Sequence, residues 1–226
     1  MFFSLAPRRA ILSDTNAELI NAYIQVRDHP ALVIRELQAL PNSESTYYKV
    51  RAGRPRSPLM KAVRLLYLST LSFNGIHRVN LRGEFNVPYG HKVHLLTCNE
   101  AQIWAASTVL RGKTITACDF EQATRKASAG SLIFFDPPYT VAHGTNGFLK
   151  YNENIFSWAD QVRLAKHAEA LATRGCHVVV SNADHPSVRS LYPRFKAVRL
   201  QRFSRIAASS THRRVVSELA FISRNA

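Results

Sequence analysis

The sequence predicts an α/β protein built on a mainly parallel sheet. Three observations carry that expectation. Short apolar runs such as "SLIFFD" and "CHVVVSN" alternate with stretches of helical periodicity. An aspartate follows an apolar run at both Asp14 and Asp136, the strand ends beyond which open α/β sheets bind ligands. Hydrophobic residues make up 46% of the 226, enough to build a core and to exclude wholesale disorder.

The elements follow in order. Ala10 to Leu12 reads as a short strand leading to Asp14, and Asn16 as the cap of a helix with Leu19, Ile20 and Tyr23 on one face. Leu32, Val33, Leu37 and Leu40 place a second helix over residues 31–40. Residues 51–58, "RAGRPRSP", read as a basic loop, and "PLMKAVRLLYLSTL" as a helix with Pro58 in its first turn. Residues 73–94 hold three glycines, three asparagines and no helical period, which predicts a turn-rich β-hairpin or loop. A helix over 100–110 precedes the strand "TITAC", a short helix and the strand "SLIFFD". A helix over 157–173, the strand "CHVVVSN" and two β-rich runs, "KAVRLQRF" and "VVSELAFIS", complete the chain, the last pair as an antiparallel edge.

Thirty Lys and Arg face fifteen Asp and Glu, a net charge of +15. Such an excess points to a polyanionic partner, nucleic acid before an anionic membrane. Cys98, Cys118 and Cys176 are odd in number and form no CxxC pair, which argues against a disulfide framework or a structural zinc site. A reducing cytoplasm fits. No stretch is long enough for a transmembrane helix, and in "MFFSLAPRRA" the charges follow the apolar residues, the reverse of a signal peptide. Nothing in the sequence signals an oligomeric state.

The stretch "LIFFDPPYTVAHG", residues 132–144, carries the most chemistry. Pro137 and Pro138 have no N–H to give a ladder, so the strand stops at Asp136. What results is a rigid turn bearing a carboxylate, proline carbonyls and the ring of Tyr139. Those groups suit an exocyclic amine held between two acceptors with its ring stacked. A carboxylate there favours the charge that develops on nitrogen as the amine takes up a carbon group.

"DPPY" after an apolar strand resembles the catalytic motif of S-adenosylmethionine-dependent amino-methyltransferases acting on DNA. "LSFNGIHRVNLRGEFNVPYG", residues 71–90, resembles the target-recognition hairpin of the Dam-like DNA adenine-N6 methyltransferases. The D-x-N of "LSDTNAELINAY" and the "CDF" of residues 118–120 resemble two cofactor motifs of that family, and "VVVSN" and "RRVVSEL" its closing strands. The motifs fall in the family's order and cover nearly the whole chain.

The resemblance implies a Rossmann-like methyltransferase sheet with an inserted helical and β-hairpin recognition region. Residues 1–29 and 98–226 would be catalytic, and 30–97 would recognise the target. It implies S-adenosyl-L-methionine as cofactor, no metal, and double-stranded DNA as partner. Asp14 would bond the ribose hydroxyls, Asp119 and Phe120 would hold the cofactor's adenine, and Asp136 would face both cofactor and target. Asp136, Pro137, Pro138 and Tyr139 would hold the target adenine, flipped out of the duplex. In the hairpin, Arg78 would read a guanine edge. Asn74 and Ile76 would enter the stack or touch neighbouring bases, and Phe73 would pack on the phosphate side. Arg82 and Lys92 would meet phosphates. Asn80 stands between DNA contact and hairpin turn, and His91 replaces a basic group common at that position.

One family feature is absent. Its F-x-G-x-G loop and the strand before it do not occur, and no glycine precedes Gly53. A late start codon, a disrupted gene or a separate partner would each account for this. The expectation is a sheet lacking a central strand, with unpaired backbone and exposed apolar faces beside the gap, and weak cofactor binding by this chain alone. The expected activity is therefore site-specific adenine-N6 methylation of duplex DNA. The alternative is an impaired remnant that binds DNA without methylating it. An RNA or protein amino-methyltransferase fits Asp136 and the hairpin less well.

Overall fold

A computed structural model describes residues 1–80, 83–140, 156–203 and 215–224, those at 202–203 and 215–216 by backbone alone. The chain packs as two units, Met1–Asp119 and Phe120–Ala226.

In the first unit α1 (Phe2–Leu5) precedes β1 (Ile11–Asp14), α2 (Ala17–Asp28), α3 (Pro30–Gln38), α4 (Glu44–Ala52) and α5 (Pro58–Leu71). A 3-10 turn (Phe73–Gly75), α6 (Glu100–Leu110) and β2 (Thr114–Ala117) complete it. The helices start where the sequence supplies caps. Asn16 accepts from the amides of Glu18 and Leu19, Ser57 accepts from Met60, and Pro58 stands in the first turn of α5. Leu68 and Leu71 of α5 are fully buried among Val33, Leu37 and Tyr67, each contributing roughly 1.5–3 kcal/mol of hydrophobic stabilisation. β1 and β2 pair in parallel with Asp14 opposite Ala117.

The second unit runs through α7 (Phe120–Thr124), β3 (Leu132–Phe135), α8 (Trp158–Thr173), β4 (His177–Ala183), α9 (Pro186–Arg189), β5 (Phe195–Phe203) and β6 (Val215–Ser223). Its sheet has the order β3-β4-β6-β5. β3 and β4 are parallel, while β6 runs antiparallel to both β4 and β5. Ile133, Phe135, Val178 and Val180 share a core with Leu164, Ala168 and Leu171 of α8. A reciprocal capping box fixes the start of α8: Ser157 accepts from the Asp160 amide and Asp160 accepts from Ser157.

The α/β class stands, with two corrections. The sheet is mixed rather than mainly parallel, because the β5–β6 ladder is the longest and the reversed β6 lies between β4 and β5. Arg51 and Ala52, read as part of a basic loop, close α4. That helix escaped detection because its hydrophobic content is low, although Ser43 caps it and Gly53 follows it. The turn-rich hairpin or loop expected over 73–94 carries, among the described residues, the isolated antiparallel bridges Ser72 to Tyr89 and Val79 to Phe85.

Apolar side chains of β1 and of β3 stand exposed. Among the described residues β1 pairs only with β2, and β3 only with β4. Ile11 and Leu132 are each 56% exposed and Phe134 is 42% exposed. No described helix is long and apolar enough to cross a membrane.

Candidate active site and recognition segment

Asp136 follows the last residue of β3. The parallel register sets Phe135 opposite Val180, so Asp136 stands beside Ser181, whose hydroxyl donates to its carboxylate. Alternation along β3 buries Ile133 and Phe135 on the α8 side and leaves Leu132, Phe134 and Asp136 exposed. The Asp136 carboxylate is thus held at a strand end and open to solvent.

The turn that follows is tied down by side chains. Gln161 of α8 donates to the Pro138 carbonyl at 2.9 Å, and Asn182 donates to Gln161 at 2.9 Å. The hydroxyl of Thr140 donates to the Phe156 carbonyl at 2.7 Å. With the Pro138 carbonyl engaged, that of Pro137 is the proline acceptor left beside Asp136. Glu218 of β6 sits opposite Ala183 of β4. Burial first, then the Glu218 and Asp136 carboxylates, push the Tyr139 phenol up to about 12. The ring therefore stays neutral at physiological pH.

In the first unit, Asp14 ends β1, and Asp119 lies two residues past the end of the neighbouring β2. Both carboxylates thus occupy the carboxyl end of one parallel pair. Asp14 is exposed, and one of its oxygens accepts from the Asn16 amide at 2.8 Å. Phe120 opens the second unit and is less free than expected. Its ring meets Phe135 edge-on at 6.0 Å, and the Arg163 guanidinium lies over it at 4.2 Å. An apolar cavity of about 720 Å³ lies in the first unit, lined by Leu19, Tyr23, Leu65 and Ile103 with the polar Asn16, Ser69, His77 and Gln102. Loss of hydration lowers the His77 pKa.

The segment 71–92 is framed by α4 and α5. Tyr47 of α4 is fully buried and donates to the Val87 carbonyl at 3.1 Å. Arg51 donates to the same carbonyl at 3.2 Å, and Arg54 bridges to Glu84 at 2.9 Å. Gly90 donates to the Leu71 carbonyl at 2.8 Å, and a Cβ there would stand 2.6 Å from the Ser72 oxygen. Only glycine permits that approach. Tyr47 and Arg51 were missed by sequence reading because their helix was missed.

The residues expected to meet DNA divide. Phe73, Asn74, Arg78 and His91 are exposed, and Ile76 is half-buried. Asn74 and His91 both adopt φ of 52°, a left-handed conformation that puts each at a bend. Asn86 accepts from the Arg78 Nε at 2.9 Å, so the terminal nitrogens form the fork that remains. Asn80 is turned inward: it donates to the Glu84 carboxylate and accepts from the Glu84 amide, each at 3.0 Å. The Lys92 ammonium donates to the Thr70 carbonyl at 3.2 Å, near the carboxyl end of α5. Arg82 lies outside the described residues.

Residues 1–206 match the family described as D12 class N6 adenine-specific DNA methyltransferase. The chain belongs to that family. A type II methyltransferase of Lactococcus lactis subsp. cremoris is 34% identical over 229 residues, covering 97% of this chain and 81% of that protein. The DNA adenine methylase of Escherichia coli K12 is 32% identical over 217 residues, 93% of this chain and 78% of the relative. A type II methyltransferase of Methanocaldococcus jannaschii is 31% identical over 190 residues, 78% of this chain and 66% of the relative. The family places the chain among methyltransferases that act on adenine in DNA, and gives no support to a DNA-binding remnant without transfer.

Proposed function

We propose that the chain transfers a methyl group from S-adenosyl-L-methionine to the N6 amine of an adenine flipped out of duplex DNA. The observation that carries this reading is the Asp136–Tyr139 turn, with its carboxylate at a strand end and its backbone clamped by Gln161. The amine would donate one hydrogen to Asp136 and the other to the Pro137 carbonyl, while the Tyr139 ring stacks on the purine. Held this way, the amine presents its lone pair for attack, and the Asp136 carboxylate stabilises the positive charge that grows on nitrogen. The surplus proton then leaves from nitrogen toward Asp136 or solvent.

The residues present fit the cofactor at its nucleoside end. Asp14 is an exposed carboxylate for the ribose hydroxyls, and the half-buried Asp119 would meet the adenine amine. Phe120 would contribute a ring edge rather than a stacking face, since Arg163 covers one side. When bound, the cofactor supplies an electrophilic methyl on sulfonium sulfur. Acids at the ends of parallel strands support the Rossmann-like reading.

Residues 30–97 form the recognition region in this reading, and 1–29 with 98–226 the catalytic part. Arg78 reads a guanine edge with its terminal nitrogens, and Asn74 and Ile76 contact neighbouring bases. Phe73 and His91 border the phosphates. Asn80 serves the turn through Glu84, and Lys92 is drawn toward the Thr70 carbonyl while keeping protons for a phosphate. The net charge of +15 supplies the sequence-independent attraction. Relatives that are a type II methyltransferase and a DNA adenine methylase support a role in site-specific DNA methylation.

Transfer of labelled methyl to duplex DNA tests the proposal. Asp136→Ala should lower it by about a thousandfold, the upper range for removing one charge-stabilising group. Labelling of RNA or protein in preference to DNA, or full activity in the variant, would overturn it.

A further inference from the structure

We propose that Gln161 and Asn182 are positioning residues, a buried clamp that sets the Pro138–Tyr139 backbone for methyl transfer. The proposal rests on the methyltransferase reading above. Pro137 and Pro138 have no amide hydrogen, so the turn lacks the backbone donors that would ordinarily lock it. Side chains replace them. The Pro138 carbonyl accepts from Gln161 at 2.9 Å, the Gln161 carbonyl accepts from Asn182 at 2.9 Å, and the Asn182 carbonyl accepts from the Ala183 amide at 2.8 Å.

The two ends fix the polarity of this relay. The Pro138 oxygen only accepts and the Ala183 N–H only donates, so each amide has one permitted orientation. Both side chains are 0% exposed. Two buried amides cost stability unless fully engaged, and once engaged they select one geometry. The anchors at both ends are rigid. Gln161 follows the Ser157–Asp160 capping box by one residue, and Asn182 lies within the β4 ladder opposite Leu219.

Successive residues of β4 point to opposite faces. Ser181 holds the Asp136 carboxylate, and Asn182, through Gln161, holds the Pro138 carbonyl. One strand thus sets both ends of the catalytic turn, which makes the spacing between the carboxylate and the Tyr139 ring a property of β4.

The test uses the full chain with Gln161→Met, Gln161→Glu, Asn182→Leu and the Gln161→Met/Asn182→Leu pair. Gln161→Met keeps the volume and removes the donor. It should lower kcat by about a hundredfold, the scale of a misplaced reacting group, with little change in the KM for DNA. The pair should be no worse than Gln161→Met alone, since both act through one relay. Gln161→Glu gives a readout that simple packing would not: its protonated form can donate to Pro138 and its ionised form cannot. Its kcat relative to the parent should therefore rise as pH falls.

Hydrogen exchange in a peptide spanning 136–140 should quicken in Gln161→Met. That measurement needs no activity, so it decides the clamp even if the parent chain fails to methylate DNA, a failure that would count against the methyltransferase reading instead. If Gln161→Met does not fold, the pH dependence of Gln161→Glu decides. Parent-like kcat in folded Gln161→Met, a flat pH ratio in Gln161→Glu, or unchanged exchange would each overturn the proposal.

Discussion

At residues 136–140 the Asp136 carboxylate, the Pro138 carbonyl and the Thr140 hydroxyl are held by neighbouring elements, with Gln161 and Thr140 both closed off from solvent. At residues 73–92 the arrangement is reversed: Phe73, Asn74, Arg78 and His91 stand exposed, and the frame grips backbone carbonyls instead. The difference suits the roles proposed for each. Methyl transfer needs a fixed geometry before substrate arrives, which buried hydrogen bonds supply. Reading base edges needs free donors on a backbone that keeps its place, which exposed side chains over an anchored loop supply.

The comparison can be broken at its anchor first. Gly90→Ala forces a Cβ to within 2.6 Å of the Ser72 oxygen, and should destabilise the first unit by about 3 kcal/mol. Chemical denaturation reads this, and a variant as stable as the parent would show that the approach is not tight. Arg78→Ala removes the proposed reader and leaves the frame intact. It should relax preference at one base pair by about 1–3 kcal/mol. Equal weakening on every duplex, measured across single-substitution sites, would reassign Arg78 to phosphate.

A smaller effect is expected from the frame's hydroxyl. Tyr47→Phe deletes the donor to the Val87 carbonyl and should cost about 1 kcal/mol of stability, blurring discrimination without lowering the rate on the best site. A matching loss of kcat would mean that the two regions are not separable.

The smallest effect concerns acid. Arg189 holds the Asp184 carboxyl below its ordinary value of 3.8. A depressed folded pKa contributes stability above the unfolded value, and this is lost as pH falls through the folded one. Stability followed from pH 5 to pH 2 should therefore fall less steeply in Asp184→Asn. Parallel acid limbs would show that the Arg189 and Arg199 bridges contribute nothing measurable.

Much of this was legible in advance where the signal is local. Asn16, Ser57 and Ser157 announce the helices they cap, and "FFDPPY" announces a strand that must stop. Helix α4 was not legible, since "ESTYYKVRA" has no strong apolar stripe and buries only Tyr47. With it went the frame of the recognition segment. The sequence left Asn80 open between DNA contact and hairpin turn, and only the structure shows its bonds to Glu84 and the bond from Lys92 to the Thr70 carbonyl.

By itself the sequence determined the α/β class, the Asp136 turn and the family, because caps, prolines and apolar runs act on neighbouring residues. Only the tertiary structure decided that β6 lies reversed between β4 and β5, that Arg163 covers one face of Phe120, and that Gln161 and Asn182 grip the turn. Those outcomes depend on register and on contacts between residues 20 or more apart in the chain, and a buried glutamine shows its purpose only when its partner stands 2.9 Å away.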